Sequence, residues 1–170
     1  MTEANATAIQ ALLDKQALTE LIAELSSAVD RADHDRIVSC YAEVSFDDHG
    51  SFKGTGAEFA DFICTSLGAV PGLANHHLLG QSVFDLKGDE AYGETFFVFH
   101  AAFDGTSQVA FGRYIDYFRR IDSEWKIVYR RVVPDHTLTG DDIANYWRSS
   151  RDRADPVHDK LRQPRFSNTP

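Results

Sequence analysis

The chain has 170 residues, a net charge of −9 and a pI near 5.1. This length fits one domain with a substantial core, because smaller chains bury proportionately less of their surface. The hydrophobic content of 43% is typical of a globular protein. The acidic charge offers nothing to a phosphate backbone, so we expect no nucleic-acid partner.

No apolar run reaches the length that spans a bilayer, and the first ten residues lack the basic and apolar regions of a signal peptide. We therefore expect no membrane partner and a cytoplasmic location. Cys40 and Cys64 fall in predicted helices without metal-ligand spacing and are interpreted as buried apolar side chains. Zinc, Walker and GxGxxG motifs are absent from the sequence. These observations predict that the protein binds no metal and no cofactor.

Three helices are predicted in the first half of the chain. Apolar residues at spacings of three and four predict a long helix from Thr7 to about Arg31. Asp30 lies in its last turn, where a carboxylate opposes the helix dipole. Spacing alone slightly favours a surface residue there. A short second helix is predicted over Asp35–Tyr41 with Asp33 as its N-cap, and a third over Glu58–Leu67.

A first strand is predicted from Val44 to His49, where a Gly turn follows. His49 stands at the strand end, a location from which functional side chains often project. The neighbouring Asp47 and Asp48 are interpreted as solvated loop carboxylates.

Four more strands, rich in Phe, Val and Leu, follow the third helix. The turn sequences that connect them are Lys87–Glu90, Asp104–Ser107 and Ile121–Glu124. If the loops hold even numbers of residues, Leu86 pairs with Ala91, and His77 lies directly opposite His100 on the same face of the sheet. By the same count, Phe111 lies opposite His100.

Continuing the count sets Arg130 opposite Ile115 and gathers four ionisable residues on one face. Single strand histidines and arginines usually reach solvent, but four on one apolar face indicate a pocket or an interface. A β-bulge would move every residue beyond it to the other face. The residues of this face include His77, His100, Arg113 and Arg130 among Phe96, Val98, Phe111 and Ile115.

The other face of the same strands is also apolar. It is predicted to carry Leu78, Phe84, Phe97, Phe99, Ile127, Tyr129 and Val133. Three helices cannot cover both faces of a sheet, so this face is predicted to be a subunit contact in a homodimer or homotrimer.

After His136 a short helix is predicted over Asp141–Trp147. We interpret residues 1–147 as a single domain and residues 148–170 as a charged, Pro-containing tail that packs poorly or lies along a neighbour. Helices followed by a run of strands predict an α+β fold, in which three helices cover one face of a curved sheet.

Four stretches resemble the SnoaL-like branch of the nuclear transport factor 2-like superfamily. They are AVDRADHDRIVSCYAE, DDHGSFKG, NHHLLGQ and GRYIDYFRRIDSEWKIVYRRVV, and the resemblance covers about Leu18 to His136. It implies a cone-shaped antiparallel sheet plugged by helices, with a deep apolar pocket. Relatives include the cofactor-free lyases scytalone dehydratase, bile-acid 7α-dehydratase and hexachlorocyclohexane dehydrochlorinase. A lyase that releases formaldehyde from diarylpropanes also belongs to the superfamily.

The resemblance implies roles for particular residues. An Asp at the end of the first helix holds a catalytic His in these lyases, which assigns those roles to Asp30 and His77. His100 corresponds to a second pocket His of scytalone dehydratase, and His49 takes the place of its pocket Tyr. Arg130 corresponds to an Arg that follows the last-strand Trp.

Leu25 takes the place of the Tyr that precedes the helix Asp in the bile-acid dehydratase. Protonation of a leaving group would therefore fall to His49 or His100, or be absent. With Leu25, the residues Phe96, Val98, Phe111, Arg113 and Ile115 are predicted to contact substrate.

The chemistry of these side chains agrees with the family. A neutral His is a suitable general base near pH 7, and a buried Asp fixes its tautomer. Arg130 can hold a developing oxyanion. The resemblance therefore implies a cofactor-independent lyase of small aromatic or alicyclic substrates, used in aromatic-compound catabolism, that eliminates water or a one-carbon fragment such as formaldehyde. The alternatives are a non-catalytic ligand-binding or partner-subunit domain, or an isomerase or hydrolase of the same superfamily.

Overall fold

The computed structural model describes residues 2–141. Its helices are α1 (Glu3–Asp30), α2 (His34–Cys40) and α3 (Gly56–Ser66), and its strands are β1 (Tyr41–Asp48), β2 (Lys53–Gly54), β3 (Ala74–Lys87), β4 (Glu90–Phe103), β5 (Thr106–Ile121) and β6 (Glu124–Asp141). The strands form one curved sheet in the order β2-β1-β6-β5-β4-β3. Only the β1–β6 pair is parallel. The predicted α+β fold with three helices is confirmed.

The helices begin where polar side chains cap their free backbone N–H groups. Asp33 is the N-cap of α2, as predicted, and its carboxylate accepts from the backbone N–H of Arg36. Thr55 and Glu58 form a capping box at the start of α3. Helix α1 begins at Glu3, earlier than predicted, because Thr2 caps it. In the described residues no helix is both long and apolar enough to cross a membrane.

The core fills the space between the helices and one face of the sheet, which we call the inner face. Leu18 and Ile22 of α1 and Phe59 of α3 are buried against Phe118 and Ile127 of the sheet. Burying one such side chain contributes roughly 1.5–3 kcal/mol relative to exposing it. Any strand side chain that points toward the helices therefore lies on the inner face.

The predicted hairpin turns set most of the strand pairing. Leu86 pairs with Ala91, and Arg120 pairs with Trp125, as predicted. The loop between β5 and β6 is Asp122–Ser123, and both residues have positive φ, 50° and 70°. Two positive φ values are typical of the type I′ turns that match the twist of hairpin strands.

A β-bulge changes the predicted pairing of β3. Within residues 79–82, strand β3 has one more residue than β4, which moves every preceding side chain to the other face. His77 therefore lies opposite Phe99, and the predicted pairing of His77 with His100 is wrong. His100 pairs instead with His76, the residue before His77, and both lie on the outer face.

A second bulge changes the pairing of β6. Within residues 127–129, β6 has one more residue than β5, so Arg130 pairs with Asp116 and not with Ile115. The bulge turns Arg130 inward, and Ile115 stays on the outer face.

The β4–β5 connection is shorter than predicted. It is the two-residue loop Asp104–Gly105, so His100 pairs with Val109 instead of Phe111. Because the β4–β5 register shifts by two residues, the side chains of β5 stay on their predicted face relative to His100.

The two bulges divide the predicted pocket between both faces of the sheet. His77 and Arg130 lie on the inner face, because each is beyond a bulge. The residues that the pairing instead places on the outer face are His100, Phe96, Val98, Phe111, Arg113 and Ile115.

The composition of the outer face also differs from the prediction. Leu78, Tyr129 and Val133 lie there as expected. The rest of that predicted set lies on the inner face, which the helices cover, and these residues contribute to the core or pack against it: Phe84, Phe97, Phe99 and Ile127.

Two further differences concern the ends of elements. Strand β2 was not predicted, and it pairs with the end of β1. Asp141, the predicted first residue of a short helix, ends β6 instead. The rest of that predicted helix and the tail over 148–170 lie outside the described residues.

Candidate functional site

The end of α1 meets the start of β3 at Asp30 and His77. His77 Nδ1 lies 2.7 Å from Asp30 Oδ1, and the His77 backbone N–H donates to Oδ2 at 2.9 Å. Asn75 Nδ2 also donates to Oδ1, at 3.0 Å. Because both carboxylate oxygens are engaged with β3, Asp30 fixes the orientation of the imidazole. The neutral tautomer with its proton on Nδ1 leaves Nε2 as a free base.

His77 sits against an aromatic wall on the inner face. Its ring centroid is 4.7 Å from that of Phe99 and 6.2 Å from that of Phe97. The His77 and Asp30 side chains are 10% and 11% exposed, so the pair is nearly enclosed without being sealed. Leu25, predicted to contact substrate, is a fully buried residue of the core.

A second Asp–His pair lies on β1. Asp47 is completely buried, and it accepts hydrogen bonds from Tyr41 Oη at 2.5 Å and from His49 Nδ1. The His49 ring stacks on Phe59 with a centroid distance of 4.3 Å, and its side chain is 25% exposed. Asp47 is therefore not the solvated loop carboxylate that was predicted. Asp47 is paired with Arg130 of β6 and lies on the inner face of the sheet.

The next residue, Asp48, differs from the buried Asp47. Its carboxylate pairs with Lys53 Nζ at 2.9 Å across the β1–β2 edge. The Lys53 ammonium and the backbone N–H of Gly50 hold the pKa of the Asp48 carboxyl below its usual value. Of the two neighbouring carboxylates, Asp47 and Asp48, Asp48 is therefore the one at the surface.

Arg130 lies beside Asp47 in the parallel β1–β6 pair and forms a bidentate ion pair with Asp116. Both hydrogen bonds measure 2.7 Å, and both side chains are at most 2% exposed. Burial alone would lower the pKa of Arg130, but the Asp116 carboxylate more than offsets this and raises it. The guanidinium is thus charged. Among residues 2–141, its Nη1 group has no hydrogen-bond partner.

The buried carboxylates of this second cluster outnumber its fixed positive charge. Asp47 and Asp116 are two buried acidic residues, and Arg130 supplies one positive charge. Uncompensated buried charges are costly, and burial raises the pKa of the Asp116 carboxyl although Arg130 opposes this. The His49 ring contacts Asp47 at the edge of the cluster.

Tyr114 lies beside Arg130 on the inner face. The centroid of its ring is 4.3 Å from that of Phe97, on which it stacks, and 4.1 Å from Arg130 Cζ. Burial raises the pKa of the Tyr114 phenol, Arg130 opposes this, and the carboxylates of Asp116, Asp30 and Asp47 raise it further. The phenol is therefore neutral, and the Asp30 and Asp47 carboxylates both act on it electrostatically.

Two candidate residues have partners of their own on the outer face. His100 Nε2 shares a hydrogen bond of 2.8 Å with Ser107 Oγ. Arg113 binds Glu94 at 2.9 Å and Asp135 at 2.9 Å. These contacts account for both residues without any site on the inner face. The structure thus brings together Asp30, His77, His49 and Arg130 of the predicted set.

Several residues of this site were not predicted from the sequence. The signal for Asp116 was available, since it alternates with Tyr114 and Phe118 in a strand whose other members of that parity are buried. Tyr41 and Asn75 carried no comparable signal. Within the described part of the chain, no group of three His, Cys, Asp or Glu side chains is placed to hold a metal ion.

Comparisons with known proteins agree with this architecture. The family model of the SnoaL-like domain matches residues 10–131. A search of curated protein sequences finds no match.

Solved structures with the same fold come from several proteins. A scytalone dehydratase-like protein of Novosphingobium aromaticivorans aligns with a TM-score of 0.70 and 15% identity, over 82% of this chain and 99% of its own. The hexachlorocyclohexane dehydrochlorinase LinA type 3 of Novosphingobium barchaimii gives a TM-score of 0.71 and 15% identity, over 82% and 99%. An aromatic ring hydroxylase-like protein of N. aromaticivorans gives 0.68 and 20%, over 76% and 94%. At these identities the likeness establishes the fold alone.

Proposed function

Because the chain belongs to the SnoaL-like domain family, we propose that it is a cofactor-independent lyase acting on a small aromatic or alicyclic substrate. The reaction is an acid–base elimination that releases water or a one-carbon fragment such as formaldehyde. The observation that carries the proposal is the Asp30–His77 pair, nearly enclosed on the inner face. Neighbours of the same fold that are dehydratase-like and dehydrochlorinase proteins support the reaction class.

His77 is the general base of the proposed reaction. Asp30 holds its Nδ1, so Nε2 takes a proton from carbon or from a hydroxyl of the substrate. The carboxylate then stabilises the imidazolium that forms. In this proposal His77 contacts the substrate, whereas Asp30 acts only through His77.

His49 is the general acid. Of the two histidines that the sequence left open for this role, His100 is on the outer face, and His49 belongs to the buried cluster. The Nδ1 atom of its ring contacts the Asp47 carboxylate, and a protonated imidazole held there would give its proton to a departing hydroxyl. Asp47 orients the ring.

Arg130 acts mainly through its charge. Two of its nitrogens are committed to Asp116, so it is not free to clamp a substrate carboxylate in bidentate fashion. A fixed buried guanidinium still stabilises negative charge that develops nearby, because the interior screens poorly.

The test begins with a panel of hydroxylated diaryl and polycyclic compounds screened for a new conjugated absorbance. On the compound that reacts, His77→Ala should lower kcat by about 10²–10⁴-fold, the usual contribution of one acid–base group. Asp30→Asn should lose a large part of the same factor, because it removes the charge that stabilises the imidazolium. Circular dichroism should show both variants folded.

His76→Ala and His100→Ala are matched controls, since each removes an imidazole from the outer face of the same strand pair. Both should retain wild-type activity. Full activity of His77→Ala would refute the assignment. Absence of turnover across the panel, together with tight binding of the same compounds, would favour a non-catalytic ligand-binding domain.

We also propose that the protein assembles through the outer face as a homodimer or homotrimer. Leu78, Val98 and Phe111 are cross-strand neighbours there, and Leu78 is 65% exposed and Phe111 39%. Contiguous apolar patches of this kind on a protein surface usually mark contacts.

A further inference from the structure

Tyr41 and Asp47 lie six residues apart on β1 and are nevertheless in hydrogen-bond contact, Tyr41 Oη donating to Asp47 Oδ2 at 2.5 Å. Residues six apart in a regular strand are separated by about 20 Å, too far for one side chain to reach the other. Strand β1 is irregular between them. Tyr41 pairs with Ile127 of β6, and Asp47 pairs with Arg130, only three residues further along β6. This irregularity therefore brings the phenol to the carboxylate.

The Tyr41 ring is held in place by two residues of α3. It is 6% exposed and packs against Phe59 with a centroid distance of 6.2 Å and an interplanar angle of 66°. Gly56 lies so close to the same ring that a Cβ at that position would be 2.2 Å from Tyr41 Cγ. Any other residue at position 56 would displace the ring. These contacts keep the hydroxyl directed at Asp47.

His49 belongs to the same unit. Its Nδ1 contacts Asp47 Oδ1, and its ring stacks on Phe59 with a centroid distance of 4.3 Å. The two oxygens of the Asp47 carboxylate are thus divided between a phenol and an imidazole. Because Oδ2 is bonded to Tyr41, the carboxylate cannot rotate without breaking that bond. Oδ1 therefore keeps its direction toward His49.

The hydrogen bond on Oδ2 also affects how Oδ1 binds the imidazole. A hydrogen bond stabilises the negative charge of a carboxylate, so the bonded carboxylate attracts a neighbouring imidazolium less strongly than an unbonded one. Burial and the Asp47 carboxylate raise the pKa of Tyr41 well above its usual value, although Arg130 opposes this. Asp116 on β5 raises the pKa further, and the α3 residues that contact the ring are uncharged. The phenol therefore keeps its proton and remains a donor at neutral pH.

We propose that Tyr41 is a positioning residue of the site: through Asp47 it fixes the direction of the His49 ring and limits how tightly that ring holds its proton. This inference rests on the proposed function, in which His49 is the general acid. An acid that holds its proton too tightly protonates a departing hydroxyl slowly. In this role Tyr41 acts only through Asp47 and contacts no reacting atom.

The test follows the His49 imidazole by NMR titration of the full-length protein, so that it does not depend on turnover. Tyr41→Phe keeps the ring and removes the hydroxyl. The Asp47 carboxylate then attracts the imidazolium more strongly, and the midpoint of the His49 titration should rise by roughly one pH unit. Asp47→Asn removes that attraction and should move the midpoint in the opposite direction. On the substrate found by the screen, Tyr41→Phe should lower kcat about tenfold, because the acid is less well oriented.

Two controls separate positioning from loss of stability. Tyr41→Phe removes a buried hydrogen bond and should lower the thermal unfolding midpoint whatever its role. Ile22→Val in the core of α1 also destabilises the protein, but it should leave the His49 titration unchanged. In the Asp47→Asn background, Tyr41→Phe should not move the titration further, because the carboxylate that connects the two residues is already gone.

A second measurement uses the unaltered protein and serves also if Tyr41→Phe does not fold. The Tyr41 hydroxyl proton is buried and bonded, so it should exchange slowly enough with water to give its own NMR resonance. This proton and His49 share one carboxylate. The chemical shift of the resonance should therefore change over the pH range in which His49 titrates.

Any one of several results would overturn the inference. They are an unchanged or lower His49 midpoint in Tyr41→Phe, an equal shift in Ile22→Val, a further shift in the Asp47→Asn background, wild-type kcat in Tyr41→Phe, and a Tyr41 hydroxyl resonance that is absent or ignores the His49 titration. Each is distinguishable from failure of the proposed function, which is judged by the turnover of His77→Ala. An active, His77-dependent enzyme whose His49 titrates alike in wild type and Tyr41→Phe would refute only the role of Tyr41.

Discussion

At the scale of single residues, the proposed general acid His49 is held by Asp47. This carboxylate is the acceptor for His49 and Tyr41 and lies next to Arg130 in the sheet. Asp47→Asn removes the negative charge beside the His49 ring and replaces one acceptor oxygen with a donor. We expect kcat to fall by roughly 10²-fold or more, as for loss of a general acid, measured on the substrate found by the screen.

Asp48→Asn is the matched control for that prediction. It alters the adjacent carboxylate, whose partner is Lys53 at the sheet edge, and should change kcat less than twofold. The alkaline limb of the pH–rate profile, which reports the general acid, should shift in Asp47→Asn and stay unchanged in Asp48→Asn. Equal effects of the two substitutions would exclude a positioning role for Asp47.

The sequence was informative about residues with a local signature. Asp30 and His77 could be assigned from their place in the motifs, and the structure puts them in contact. Asp47 was misjudged because its neighbours, Asp48 and His49, are typical of a loop. Its burial depends on a partner strand from the far end of the chain, and no local pattern reports that.

At the scale of elements, Asp14 attaches α1 to the β5–β6 hairpin. It accepts hydrogen bonds from Arg120 Nη2 at 2.7 Å, from Gln10 Nε2 at 3.0 Å and from Trp125 Nε1 at 3.3 Å. Burial alone would raise the pKa of Asp14, but these hydrogen bonds outweigh it and lower the pKa. The folded protein therefore favours the ionised carboxyl more than the unfolded chain does.

A pH dependence follows from that direction. The stabilisation by Asp14 is complete above the unfolded-state pKa, about 3.9, and is lost as the pH falls through the lower folded-state pKa. Asp14→Asn should reduce the free energy of unfolding by about 1–3 kcal/mol at pH 7, measured with urea. The difference from wild type should shrink well below pH 4.

Asp85→Asn is the control, because Asp85 and Lys87 form an exposed pair on the β3–β4 hairpin. Exposed pairs contribute little, so this variant should differ from wild type by less than about 1 kcal/mol at both pH values. A pH-independent loss in Asp14→Asn would contradict the role of its charge.

Most element types and two of the three hairpin turns could be predicted, since caps and hairpin loops are local signals. The bulges at Gly80 and Val128 could not be predicted in the same way. Gly80 inside β3 is a recognisable sign of a bulge, and its Cβ position would lie 3.3 Å from Phe96 Cβ. Val128 in β6 carries no such sign, because it sits in an uninterrupted run of strand-forming residues. The position of that bulge depends on which side chains of β6 fit into the core.

At the scale of the whole molecule, the outer face is the surface that we propose for the subunit contact. Leu78→Glu places a charge in the centre of the apolar row formed with Val98 and Phe111. If that row is the subunit contact, the variant should sediment as a monomer at micromolar concentration, and wild type as a dimer or trimer. Leu12→Glu on α1, where the side chain is 68% exposed, should assemble as wild type does. A monomeric wild type would contradict the proposal.

The parallel pairing of β1 with β6 has a consequence for how the protein is made. During synthesis β1 emerges early, and Asp47 has no guanidinium beside it until β6 has left the ribosome. Contacts between such distant segments form slowly, because a long loop must close first. The acid cluster is therefore assembled after almost all of the described chain has been translated. A nascent or truncated chain that lacks β6 therefore has no guanidinium beside Asp47.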